Sequence, residues 1–141
     1  MLIWNSVGCS KRQESTVEAT LHCAQLYEFK KQQYWGDSVG NNKYIFNTSL
    51  NTCLALNIYN DSQAGRYFAM VIDMTDDETL LYYSDDLKGA IVDGDTVTKC
   101  ENRAVHLSYT TNGREIKEAG CDRFDLWDKM FEQVKSFGFP L

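Results

Sequence analysis

The sequence predicts an α+β fold: an N-terminal helix, a mostly antiparallel sheet of five to seven strands, and a C-terminal helix, with two disulfides joining them. Three observations carry this expectation. Apolar residues recur at helical spacing in a segment near each end of the chain. Between those segments lie short runs rich in β-branched and aromatic residues, separated by turn signals. The helix–strands–helix order favours α+β over a parallel sheet, whose strands would alternate with helices. With 141 residues, 43% of them hydrophobic and 13% aromatic, the chain suffices for one domain with its own core.

Residues 1–14 read as a leader or tether, and 15–141 as the single domain. "STVE" forms a capping box, in which Ser15 accepts from the Glu18 amide and the Glu18 side chain reaches back. Val17, Thr20, Leu21, Ala24 and Tyr27 follow at helical spacing with Cys23 on their flank, predicting a helix from Thr16 to about Tyr34 that stops near Gly36. "KYIF" and "TCLALNIY" flank the turn-rich "NTSLN" and read as paired strands. "RYFAMVID" is apolar on both faces, as a central strand covered from two sides would be. "TLLYYS" follows an acidic turn. Asp93-Gly94 and Asn112-Gly113 are hairpin signals, because such pairs accept positive φ. A closing helix starts after Asp122 as N-cap, carries Phe124, Trp127, Phe131 and Val134 as an apolar stripe widened by Met130 and Phe137, and ends at Gly138 and Pro140.

Five cysteines are present: Cys9, Cys23, Cys53, Cys100 and Cys121. None forms a Cys-x-x-Cys pair, and His22 and His106 are the only histidines, so no zinc site is expected. An oxidising compartment would pair four of the five, and four cysteines allow three connectivities. Cys23 with Cys53 and Cys100 with Cys121 is the favoured set, because each pair ties neighbouring elements together. Cys9 is left over. It follows "SVG", which resembles the bacterial lipobox and makes Cys9 a lipidation candidate. "MLIWN" is too short to be a whole signal, so the lipobox reading requires a start upstream of Met1.

The cysteine contexts carry a second likeness. Leu21, Cys23 and Ala24, then Asn47, Leu50, Asn51 and Cys53, resemble small exported bacterial proteins of unknown function. Those have a helical Leu-x-Cys-Ala followed by a Tyr-Asn-x-x-Leu-Asn-x-Cys strand entry. Phe46 stands where that pattern has Tyr, and Cys121 precedes an acidic and aromatic helix as a late cysteine does there. The likeness covers about a quarter of the chain. It implies export and paired cysteines and brings no activity with it.

Charge narrows the partners. The net charge is −6, which argues against nucleic acid. Asp73, Asp76, Asp77, Glu78, Asp85, Asp86, Asp93 and Asp95 face only Lys88 in the interval 73–95, so that interval carries −7 and the remainder +1. The Asp residues among them form a candidate acidic binding surface, although solvated turns give the same pattern. An EF-hand loop starting at Asp73 fails, with Glu78 where Gly is needed and Ser84 where Glu is needed. Phosphate loops, Gly-x-Ser-x-Gly elbows and His-Glu-x-x-His are lacking. His22 cannot readily pair with Cys23, because successive helical residues point about 100° apart. His106 alternates with Val105 and Leu107 and reads as solvent-facing or satisfied. Trp35, Tyr34, Tyr59, Tyr67, Tyr82, Tyr83 and Tyr109 would make a recognition surface if they gathered on one sheet face, and ordinary sheet packing otherwise.

These readings lead to a non-enzymatic exported bacterial envelope protein, periplasmic or a lipoprotein, that binds an unknown protein or envelope component, an inhibitor of another protein being one form. No cofactor, catalytic residue or metal is expected, nor a transmembrane segment, since no apolar run approaches about 18 residues. Two alternatives stand beside it: a small enzyme or ligand carrier with a pocket between sheet and helix, and a cytosolic accessory protein of a mobile element.

Overall fold

Helix α1 (Leu2–Trp35) leads into strands β1 (Gly40–Asn47), β2 (Thr52–Asp61), β3 (Arg66–Asp73) and β4 (Glu78–Leu87). Then come β5 (Ala90–Asp93), β6 (Thr96–Lys99), β7 (Arg103–Thr111), β8 (Arg114–Gly120) and helix α2 (Arg123–Ser136). This computed structural model describes residues 2–36, 40–61, 66–87 and 89–141, and their side chains except those of 2–16, 60, 61, 86, 87, 123 and 124.

Six strands form one antiparallel sheet in the order β1-β2-β3-β4-β7-β8, and β5 pairs with β6 as a separate two-stranded ribbon. The ribbon is set aside because β4 pairs directly with β7, from Leu81 opposite Tyr109 to Leu87 opposite Arg103. Alternation along the strands then builds two cores. Leu54, Leu56, Val71, Leu81, Tyr83, Val105 and Leu107 face α2 and close over Leu126, Met130 and Val134. Cys53, Ala55 and Ile72 point the other way and meet Cys23, Tyr27 and Trp35 of α1. A fully buried Leu or Met contributes about 1.5–3 kcal/mol. The central strand β3 is apolar on both faces because both helical layers use it.

Both hairpin signals form hairpins. At β7–β8, Asn112 and Gly113 take positive φ of 51° and 72°. At β5–β6 the turn lies one residue later than the Asp-Gly pair suggests: Asp93 is paired with Thr96, and Gly94, with φ of 58°, is the first turn residue. That is where a type II′ turn requires glycine.

The first helix departs from expectation in two ways. It begins at Leu2, so Ser15 lies inside it instead of capping it. No proline occurs between residues 2 and 35 to interrupt the hydrogen-bond ladder. Its buried face is also turned from the predicted stripe: Tyr27 of the stripe is buried, but so is Cys23 from its flank, while Val17 and Leu21 of the stripe are exposed. The disulfide fixes Cys23 against Cys53, and residues four and eleven positions on (Tyr27, Tyr34) follow it onto the sheet. The helix ends as predicted, with the Gly36 amide donating to the Gln32 carbonyl at 2.9 Å.

In α2 the deepest stripe is Leu126, Met130 and Val134, continued by Phe137 just past the helix end, with Trp127 and Phe131 on its flank. The side chain of Phe124 lies outside the described residues. The helix stops before Gly138, whose φ is 101°.

Two disulfides hold the layers: Cys23–Cys53 and Cys100–Cys121, each with a Cα–Cα distance of 5.3 Å. The first fastens α1 to β2, and the second joins the end of the β5–β6 ribbon to the residue after β8. With sequence separations of 30 and 21 residues, each restricts the unfolded chain by about 3–4 kcal/mol. Bridges of this kind persist in oxidising compartments, so the pair points to a location outside the cytoplasm. No helix among the described residues is long and apolar enough to cross a membrane. Cys9 lies on α1, and its side chain is outside the described residues.

Candidate binding groove

The sheet face that carries α1 is covered unevenly. That helix packs over β1 and β2, and the β5–β6 ribbon approaches the opposite end of the face through β7. Between ribbon and sheet lies a groove of about 510 Å³. Its floor follows from strand register. Tyr82 on β4 is opposite Ser108 on β7, and Ser108 is opposite Lys117 on β8. The next rung is Ser84, His106 and Ala119. Directly opposed residues have Cβ atoms about 4.5–5.5 Å apart, so the first rung is a continuous polar row and the second is polar up to Ala119. Ile91 and Val92 of the ribbon form an apolar wall, and Asp93 closes one end.

The arrangement suits recognition. The floor offers hydroxyl, imidazole and ammonium groups in fixed register, the wall offers aliphatic contact, and the volume falls in the range of small-ligand sites, about 300–1,000 Å³. The sequence singled out His106 only as a solvent-facing or satisfied residue; it is half-buried on the groove floor. Ser108, Lys117, Ile91 and Val92 were not singled out, and of the ribbon residues lining the groove Asp93 was named as part of the acidic surface. The signal that finds them is period two: His106, Ser108 and Thr110 alternate with the inward Val105, Leu107 and Tyr109. The pocket expected between sheet and helix is therefore found between sheet and ribbon, because α2 fills its own side with core side chains.

The acidic residues are distributed over three places. Asp73, Asp76 and Asp77 gather at the β3–β4 turn, where two of their hydrogen bonds are local and three come from distant side chains. Asp73 accepts from Thr52 Oγ1 at 2.6 Å and from the Thr75 amide at 2.9 Å, and Asp76 accepts from the Glu78 amide at 3.1 Å. Asp77 accepts from Lys30 Nζ at 2.8 Å and from the Tyr34 hydroxyl. These two donors, Lys30 foremost, hold the Asp77 carboxyl below the usual value. Burial, followed by the nearby Asp77 carboxylate, raises the Tyr34 phenol. This turn thus docks the end of α1, and Lys30 also donates to the Met74 carbonyl at 2.7 Å.

Asp85 lies toward the other end of β4 from that turn, and its side chain is fully buried on the α2 side. Arg103 donates to it at 2.7 Å, and the Tyr83 hydroxyl donates at 3.2 Å. The same guanidinium stands 5.5 Å over the Tyr67 ring. Tyr67 and Tyr83 both pack edgewise on Trp127 of α2. Most of the aromatic residues are spent in this way on packing, with Tyr82 left for the groove. Asp93 and Asp95 are exposed at the tip of the ribbon. The Asp86 side chain lies outside the described residues. Among the described residues no three metal-ligating side chains come together.

No family model matches this chain, and neither a curated protein nor a solved structure matches it.

Proposed function

We propose that this chain is an exported bacterial envelope protein, periplasmic or held to the membrane by a lipid on Cys9, that acts as a non-enzymatic binding module through the groove beneath the β5–β6 ribbon. The observation that carries the reading is the groove itself: a half-polar, half-apolar recess of about 510 Å³, held open by a ribbon whose base is disulfide-bonded. Export is supported by the two bridges and by the resemblance of the Cys23 and Cys53 contexts to small exported proteins. The acidic ribbon tip, Asp93 and Asp95, favours a basic macromolecular partner over an acidic one, and inhibition of such a partner is one form of the role. Association steered by these charges slows as salt is added.

A second reading, a ligand carrier or small enzyme, is favoured by one detail. His106 and Ser108 occupy successive same-face positions on β7, with Lys117 across from Ser108. Amide chemical-shift mapping against fractionated envelope components tests both. Shifts clustered on Tyr82, Ile91, His106 and Lys117, and lost in Ile91→Asp, support the groove. Shifts confined to other surfaces overturn it. Turnover of a bound component that is abolished by His106→Ala selects the second reading.

A further inference from the structure

The two edges of the main sheet differ. At β1, Lys43 donates to the Pro140 carbonyl at 3.1 Å and Asn47 donates to the Phe137 carbonyl at 2.7 Å, so the chain's C-terminal segment flanks that strand. At β8 the described residues supply a neighbour on one side only, β7. This edge is seven residues long, carries no bulge in its pairing with β7, and is exposed along most of its length. Open edges of this kind recruit further strands unless charge deters them. The charges of β8 are Arg114, Glu115, Lys117 and Glu118, with Ile116 between the two pairs.

We propose that β8 pairs antiparallel with β8 of a second copy, about a two-fold axis at Ile116, so that the two sheets become one. The register follows from the charges. With Ile116 opposite Ile116 of the partner subunit, Arg114 meets Glu118 of the partner subunit and Glu115 meets Lys117 of the partner subunit. Symmetry repeats both contacts, so all four charge pairs are of opposite sign. Every neighbouring register fails. A slip of one residue in either direction sets Arg114 against Lys117 or Glu115 against Glu118, and also turns each strand's buried face outward. Slips of two set Lys117 against Lys117 or Glu115 against Glu115. An isologous interface requires self-complementarity of this kind.

Glu115 and Lys117 are exposed and able to make these contacts, whereas Glu118 already accepts from Lys129 Nζ at 2.7 Å, so Arg114 of the partner subunit would join an existing ion pair. Ile116 is 37% exposed, so part of its β-branched side chain is open to a neighbour. Within one chain Lys117 reaches Glu115 only at 3.7 Å, with both side chains more than half exposed. Because Lys117 also lines the groove, pairing sets two grooves side by side on one face of the joined sheet, with Glu115 of the partner subunit beside each Lys117.

Sedimentation of the oxidised protein from micromolar to millimolar concentration tests the proposal. The expected result is a reversible monomer–dimer equilibrium that weakens with salt. Lys117→Glu sets like charges opposite each other twice per dimer and is expected to raise the dissociation constant at least about tenfold. Adding Glu115→Lys to that variant reverses both members of each pair and is expected to restore dimerisation. Circular dichroism of both variants should match the parent, since the positions are exposed. A protein that stays monomeric throughout overturns the proposal. So does a dimer indifferent to Lys117→Glu, or one that the double reversal fails to rescue.

Discussion

The Cys100–Cys121 bridge governs the ribbon, and its removal has two separable consequences. Cys100 ends the ribbon, and its amide donates to the Gly89 carbonyl at 3.1 Å, closing the neck through which residues 90–99 leave the sheet. An isolated two-stranded hairpin is at best marginally stable in water. Every described side chain of β6 is exposed, and β5 is mostly exposed too, so little apolar burial holds the ribbon in place. Replacing Cys100 with Ala and Cys121 with Ser removes a 21-residue cross-link, which costs about 3 kcal/mol of global stability. Locally, amide exchange across 90–99 should accelerate far more than that of β2 or β3, and the groove should lose its wall. Urea unfolding reads the first effect and hydrogen exchange by mass spectrometry the second. If 90–99 keeps its protection relative to the central strands, the bridge does not position the ribbon and the reasoning fails.

Arg103→Met removes the guanidinium that pairs with the fully buried Asp85 side chain, so unfolding free energy should fall by about 3–5 kcal/mol in chemical denaturation. Gly40→Ala would place a Cβ 2.3 Å from Asn57 Oδ1 and 2.9 Å from the Ile58 carbonyl oxygen, and a melting curve should show a loss of about 1–3 kcal/mol. Tyr34 is raised above 10.0 by burial, so its contribution is present below that value and is lost as pH climbs past it. Stability measured up the alkaline limb should therefore fall less steeply in Tyr34→Phe. Asp77 is depressed below 3.8, so its contribution is present above that value and lost as pH falls further; Asp77→Asn should flatten the acid limb of the same titration.

Much of this architecture is legible locally. Asn112-Gly113 dictates its own turn, Gly36 and Gly138 stop their helices, and the two bridges join elements that the pattern already makes neighbours. The groove was illegible for a physical reason. Its parts come from β4, β5, β7 and β8, and they meet only because β4 skips the ribbon to pair with β7, a non-local choice that no window of sequence contains. The same applies to Asp85, whose acidic appearance hid a buried role completed eighteen residues later by Arg103. The face of α1 was misjudged because Val17 and Leu21 are apolar yet unburied, whereas Cys23 was bound to a strand thirty residues away.

The central claim is that four particular sulfurs are paired in the protein as its own cell makes it. Intact mass of native material, collected without reductant and alkylated under denaturing conditions, reads this directly. The account predicts that Cys23, Cys53, Cys100 and Cys121 take no label until a reductant is added, and that peptides then connect 23 with 53 and 100 with 121. Labels on all four before reduction would contradict it, and the exported role would fall with them.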